Sequence, residues 1–339
     1  MSEPRRDTQR DTQRDTQREP GREAAPAAGS PSSDDLVLHH YSSSPFAEKA
    51  RLMLGLKGLA WHSVTVPMVL PKPDVVALTG GYRRTPFLQL GADIYCDTAL
   101  IAEVLEGRRP TPSLYPAAVA GHARTLAQWA DTDLFWTALP YAMQPAGATA
   151  LFAGAPPDML KIFVADRKAM SEGMPQMRGV DAGAALTQYL DWLSGMLADG
   201  RPWLLGDQTS IADLSVYHPL WFVTRTGPLA EIFQPHEALR AWMGRVAAIG
   251  HGERAGKLDG AGAIALAKAS TPRPALVEEG LGFSAGDAVT VTPYDYARDA
   301  VAGTLVGLSC RTVTLAREDE RAGRVHVHFP RIRYSLRAA

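Results

Sequence analysis

Residues Tyr41–Leu54 read YSSSPFAEKARLML, three serines set directly before a proline and an amphipathic run. Phe46, Ala50, Met53, Leu54 and Lys57 recur at helical spacing and Gly58 supplies a stop, so the pattern predicts a helix starting at Pro45. Ser44 suits the N-cap, where its oxygen satisfies a free helix amide, and Pro45 suits the first helical position. The same place has a second use. Free amides and the positive end of the helix dipole favour an anion, and they lower the pKa of a thiol held nearby. Ser44 is therefore either a cap alone or a cap that also holds a reactive group.

Working outward, LVLHHY (36–41) before this run and WHSVTV (61–66) after it read as strands. PKPDVVALTGG is a short turn or helix. PFLQL (86–90) and DIYC (93–96) are strands joined by Gly91-Ala92, a hairpin signal, and DTALIAEVLEG (97–107) is a capped helix. The order βαβ then αββα predicts one four-stranded mixed sheet with helices on its faces, over residues 35–107. RRPTPSLYP (108–116) is a Pro-rich linker, and residues 117–268 show three-and-four apolar spacing throughout, an all-α domain. Residues 271–339 change character: from Asp287 to Leu336 they alternate with period two, punctuated by Gly303, Gly307 and Gly323. Four or five short strands are expected there, a small β module appended to the helical domain. Ahead of all this, residues 1–34 repeat RDTQ and then run through Pro, Gly, Ala and Ser. With so little apolar surface to offset chain entropy, they are expected to be a disordered, solvated tail.

The whole chain of 339 residues is 46% hydrophobic and 21% charged, with a formal net charge of -1. That length suggests two or three domains, and the near-neutral balance argues against a nucleic-acid or anionic-membrane protein. Cys96 and Cys310 have no metal-type spacing and make no disulfide framework. No apolar run approaches the roughly 20 residues that span a bilayer, and Arg and Asp stand where a signal peptide needs an apolar stretch. A cytoplasmic setting is expected.

Strand, Ser-Pro helix, strand, RRTPFLQ, hairpin, CDT, helix, Pro linker and all-α domain together resemble the cytosolic glutathione transferase superfamily. SSSPFAEKARLMLGLKG resembles its active-site turn and first helix, TPFLQL its cis-proline loop, CDTALIAEVLE its acidic-hydroxyl pair, and TSIADLSVY its buried capping box. The matches span about residues 35–250, and neither the N-terminal tail nor the C-terminal β module belongs to the common pattern. The resemblance implies a thioredoxin-like N-terminal domain, an all-helical second domain, glutathione as co-substrate with no metal, a small electrophile as second substrate, and a homodimer. It points to the serine-type members, which hold the glutathione sulfur as a thiolate through a hydroxyl. Others place Cys at this position, so Ser44 steers the reading away from thiol-disulfide exchange. Ser42 and Ser43 lie close enough to substitute, and Tyr41 is a weaker alternative.

By the same resemblance, Thr85 and Pro86 form the loop that pairs with the cysteinyl part of glutathione as an added strand. Asp97 takes the α-amine of the γ-glutamyl group, and Thr98 with its helix N-terminus takes the α-carboxylate. Phe46 and Lys72 complete the glutathione set. Lys72 stands in the stiff PKPD segment and is placed to meet the glycyl carboxylate, with Arg83 and Arg84 as competitors. Each residue also has a structural explanation: Asp97 and Thr98 are good caps, Pro86 can be an edge residue, and most surface lysines do nothing specific. Trp129, Trp136, Tyr141 and Phe163 are candidate walls for the electrophile, though aromatic residues at helical spacing are commonly core. Asp213, three residues after Ser210, reads as a structural capping box. His326 and His328 share a strand face, but no third ligand accompanies them. The alternative to an enzyme is a non-catalytic, glutathione-transferase-like scaffold, for which the extra tail and β module would be platforms.

Overall fold

The sheet at the centre of the molecule grows from the expected four strands in both directions. The computed structural model describes Met1 and residues 31–339. The RDTQ repeat lies outside the described residues. Residues 31–34, counted above with the tail, instead belong to a turn closed by Asp35 N donating to Ser32 O at 3.1 Å.

The first domain runs β1 (Val37–His40), α1 (Pro45–Leu56), β2 (Ala60–Thr65), α2 (Pro73–Thr79), β3 (Phe87–Leu90), β4 (Asp93–Cys96) and α3 (Thr98–Arg108). β1 pairs parallel with β2 and antiparallel with β3, and β3 forms the hairpin with β4, Leu90 facing Asp93 across the turn. Successive side chains point to opposite faces. Leu36, Leu38, Leu88 and Leu90 therefore enter one core with α1, α3 and the helical domain, while Val37 and Phe87 enter a second.

The helical domain comprises α4 (Ala120–Trp129), a π turn (Ala130–Leu134), α5 (Phe135–Ala142), α6 (Pro145–Leu151), α7 (Pro157–Met170), α8 (Gly179–Met196), α9 (Ile211–Thr224) and α10 (Glu237–Ala248). α9 is buried along nearly its whole length and packs on α1, α4 and α5. Among the described residues, no helix is long and apolar enough to cross a membrane.

The helical pattern ends earlier than expected. Residues 253–268 form β5 (Glu253–Leu258) and α11 (Gly260–Lys268), which return to the sheet: β5 pairs parallel with β2, and α11 packs on α2. Gly55 makes room for this return, since a Cβ on it would collide with the Gly250 carbonyl. The remaining strands are β6 (Ala288–Pro293), β7 (Val301–Leu308), β8 (Thr312–Asp319), β9 (Gly323–Pro330) and β10 (Tyr334–Ala338). They are not a module hung on the helical domain. β9 pairs parallel with β4, giving a ten-stranded sheet in the order β10-β6-β7-β8-β9-β4-β3-β1-β2-β5. The physical reason is the bare edge of β4, whose unpaired N–H and C=O groups β9 covers. Val325, Val327 and Phe329 join Val37, Phe87, Ile94 and Cys96 in the second core, so the C-terminal strands share a hydrophobic interior with the first domain.

Candidate active site

Ser44 is the N-cap of α1, with extended backbone (φ -75, ψ 123), and its Oγ accepts from Ala47 N at 3.2 Å. It is 2% exposed, whereas Ser42 is exposed and Ser43 half-buried with its hydroxyl toward the Met68 sulfur. Because Ser44 Oγ receives the amide hydrogen, its own proton stays available: among the described residues it has no acceptor. The turn that presents it is held from behind by Arg51, whose guanidinium donates to Ser42 O at 3.1 Å and is paired with buried Glu48 at 2.5 Å. Sequence reasoning missed this brace, because a charged pair inside a helix looks like a solvated face. His40 receives Arg51 at 3.0 Å through Nδ1 and meets Ser63 through Nε2. Burial, helped by Arg51, pushes the His40 imidazole down to about 3, so it stays neutral, accepting from Arg51 at Nδ1 and donating to Ser63 Oγ from Nε2.

A second helix N-terminus opens beside the first. Asp97 caps α3 with Oδ1 accepting from Ala99 N at 2.9 Å, and Thr98, buried, is its first helical residue. Asp97 has φ +78, a backbone region L-residues rarely occupy. The Thr85-Pro86 bond, which lines the same cavity, is cis. Lys72 is buried and its Nζ donates to Arg83 O at 3.2 Å. Burial, with Arg167 and Arg83 adding to it, pushes the Lys72 ammonium down to about 8. Arg83 is committed to Asp166 at 2.5 Å and Arg84 to Asp295 at 2.6 Å.

Ser44, Phe46, Lys72, Thr85, Pro86, Asp97 and Thr98 all line one cavity of about 880 Å³. Phe46 forms part of its wall at the domain junction, packed in tilted contact with Phe135 and His218 at centroid distances of 4.7 and 4.5 Å. Of the four aromatic candidates, Trp136 and Phe163 line the cavity. Trp129 packs on Tyr189 instead, and the Tyr141 hydroxyl donates to Leu229 O at 2.9 Å. His328 is engaged on both nitrogens, by Asp93 at 2.8 Å and Thr314 at 2.9 Å, and among the described residues no group of three metal-ligating side chains converges.

The C-terminal strands supply a third wall. Asp295, Tyr296, Arg311 and Arg333 face the cavity, and Tyr296 packs on Trp136 at 5.2 Å. Asp295 bridges Arg84 and Arg333, the latter at 2.8 Å. Burial works to raise its carboxyl, but the two guanidinium groups outweigh burial and hold it down to about 2. Nothing in the local sequence marks these residues, because the wall exists only once β9 has found β4.

The cavity brings together two helix N-termini that favour anions, a carboxylate that suits an amine, and, at the first of those N-termini, the Ser44 hydroxyl with its proton. Residues 38–113 match the glutathione S-transferase N-terminal domain family and residues 166–245 the corresponding C-terminal domain family. No curated protein matches the chain at a significant level. Among solved structures, a GST-like protein from Pseudomonas syringae is 38% identical over 90% of this chain and 100% of its own, with TM-score 0.75. Residues 1–268 are 268 of 339, fewer than nine-tenths, so that match runs into the C-terminal strands. A glutathione S-transferase from Rhodospirillum rubrum F11 is 23% identical over 63% of this chain and 88% of its own, with TM-score 0.48. Glutathione transferase F7 from Populus trichocarpa is 17% identical over 63% and 93%, again with TM-score 0.48. With the two domain families matched in order and 38% identity to one relative over nine-tenths of this chain, the chain belongs to the glutathione S-transferase family.

Proposed function

We propose that this chain is a transferase that activates glutathione as its thiolate at Ser44 for attack on a small electrophile. The observation that carries the proposal is the buried Ser44 hydroxyl, which accepts from Ala47 N and so keeps its proton for an acceptor in the cavity. In this reading the γ-glutamyl end sits between Asp97 and the start of α3, the cysteinyl part lies against Thr85, and Lys72 meets the glycyl carboxylate. The thiol loses its proton to solvent. The Ser44 O–H then donates to the sulfur, and the positive end of α1 adds its field, so more thiolate is present at neutral pH. The sulfur lone pair forms the new bond to the electrophilic carbon while the leaving group departs with its bonding electrons. Phe135, Trp136, Phe163 and Tyr296 give the second substrate an apolar wall.

The alternative reading is a non-catalytic glutathione-transferase-like scaffold. The C-terminal strands contribute residues to the cavity wall and to the second core, which supports a part for them in ligand binding. The test is retention of the full chain on immobilised glutathione, followed by its conjugation to chlorodinitrobenzene. Binding and turnover are expected; failure to bind would remove the transferase reading.

A further inference from the structure

Tyr334, the first residue of β10, is 4% exposed and does not itself line the cavity. Its hydroxyl donates to Asp97 Oδ2 at 3.0 Å, and with that bond made, the hydroxyl of buried Tyr82, 3.2 Å away, is the donor to Tyr334. The result is a relay from Tyr82 through Tyr334 to Asp97. The Asp97 carboxylate is thus fixed by one donor on each oxygen, Ala99 N on Oδ1 and Tyr334 on Oδ2. Arg84, held by Asp295 and by the Tyr296 carbonyl, lies over the Tyr334 ring at 5.9 Å and keeps it in place.

A second observation converges on the same joint. Among the described residues, the non-glycine positions with positive φ are Asp97 (+78), Ala297 (+47) and Arg333 (+68). Asp97 is the end of the relay, Arg333 precedes Tyr334, and Ala297 follows Tyr296. Backbone strain of this kind persists only where the surroundings over-determine it, and it clusters at ligand sites.

We propose that Tyr334 is a positioning residue for glutathione: it orients Asp97 toward the γ-glutamyl α-amine, so that the C-terminal strands set selectivity for that amine. The inference rests on the glutathione reading above. Asp97 contacts the amine; Tyr334 acts through it. A freed carboxylate rotates away from the amine, while the thiolate machinery at Ser44 is untouched.

The test compares glutathione with glutaryl-cysteinylglycine, which lacks only the α-amine, by calorimetric binding to the full-length protein. For Tyr334→Phe the glutathione Kd is expected to rise about three- to tenfold, the weight of one hydrogen bond. Affinity for the amine-free analogue stays at the wild-type value, and KM for glutathione rises while kcat holds. If Tyr334→Phe does not fold, Tyr82→Phe decides the matter through a smaller loss with the same selectivity. Equal weakening toward both ligands, or no weakening of glutathione, overturns the positioning role alone. Wild-type protein that binds neither ligand overturns the glutathione reading and this inference with it.

Discussion

The indole N–H of Trp242 donates to Asp213 Oδ1 at 2.9 Å, joining α10 to the start of α9 through a fully buried carboxylate. The same carboxylate accepts from Leu204 N and Ser210 N, each at 2.9 Å. With the Ser210 hydroxyl at 3.2 Å as well, removing the carboxylate strands four buried donors, and an unsatisfied buried group costs about 1–3 kcal/mol. Asp213→Ala is therefore expected to lose on the order of 3 kcal/mol of stability, read as a lower urea midpoint with unchanged slope. Since Asp213 is away from the cavity, glutathione affinity of the folded fraction should match wild type. A stable Asp213→Ala protein with impaired turnover would contradict this structural role.

Removing residues 271–339 is expected to destroy the fold, not merely trim it. The truncated chain would bare the β4 edge and the second core beneath β3 and β4, including Phe87 and Ile94. Size-exclusion and circular-dichroism melting should show aggregation or loss of a cooperative transition. A soluble truncated protein with full glutathione affinity would mean that the C-terminal strands are dispensable.

This is also where the sequence ran short. Caps were legible because they are local: Ser44 before Pro45, Asp97 before Thr98 and Asp213 after Ser210 each sit next to the amides they serve. The strands β1–β4 and the helical domain followed from period and breakers. Alternation in residues 287–336 showed strands but not their neighbour, since period two assigns faces and says nothing of which distant edge is open. β5 was invisible for a different reason. Its residues, Glu253–Leu258, read ERAGKL, types that strands disfavour, and it exists because β2 supplies a parallel partner. In the site, the residues carried by local motifs could be named, whereas Asp295, Tyr296 and Tyr334 act through contacts with distant segments, and Arg51 with Glu48 looks from the sequence like a solvated helix face.

Lys72 gives the site a pH dependence with a definite sign. Its ammonium, pushed down to about 8 by burial first and neighbouring arginines second, is charged at pH 7 and neutral well above pH 8. A bound carboxylate favours the charged form, so binding takes up protons on the alkaline side and affinity falls as pH rises through about 8. S-methylglutathione, which has no thiol to titrate, should lose affinity between pH 7 and 9.5 with wild type. Lys72→Gln should bind it more weakly at pH 7 and show a flatter alkaline limb. An identical profile in both proteins would show that Lys72 does not meet the ligand.

The role of Ser44 is tested most simply by the thiolate absorbance of bound glutathione, titrated against pH in wild type, Ser44→Ala and Ser44→Thr. A hydrogen bond to a charged acceptor is worth about 1.5–3 kcal/mol, or roughly one to two pH units. The bound thiol of wild type and Ser44→Thr is expected to ionise well below that of free glutathione. In Ser44→Ala it should ionise about one to two units higher than in wild type, with glutathione still bound. A bound thiol that titrates at the same pH in Ser44→Ala as in wild type would contradict thiolate stabilisation by Ser44 and pass the role to the α1 amides alone.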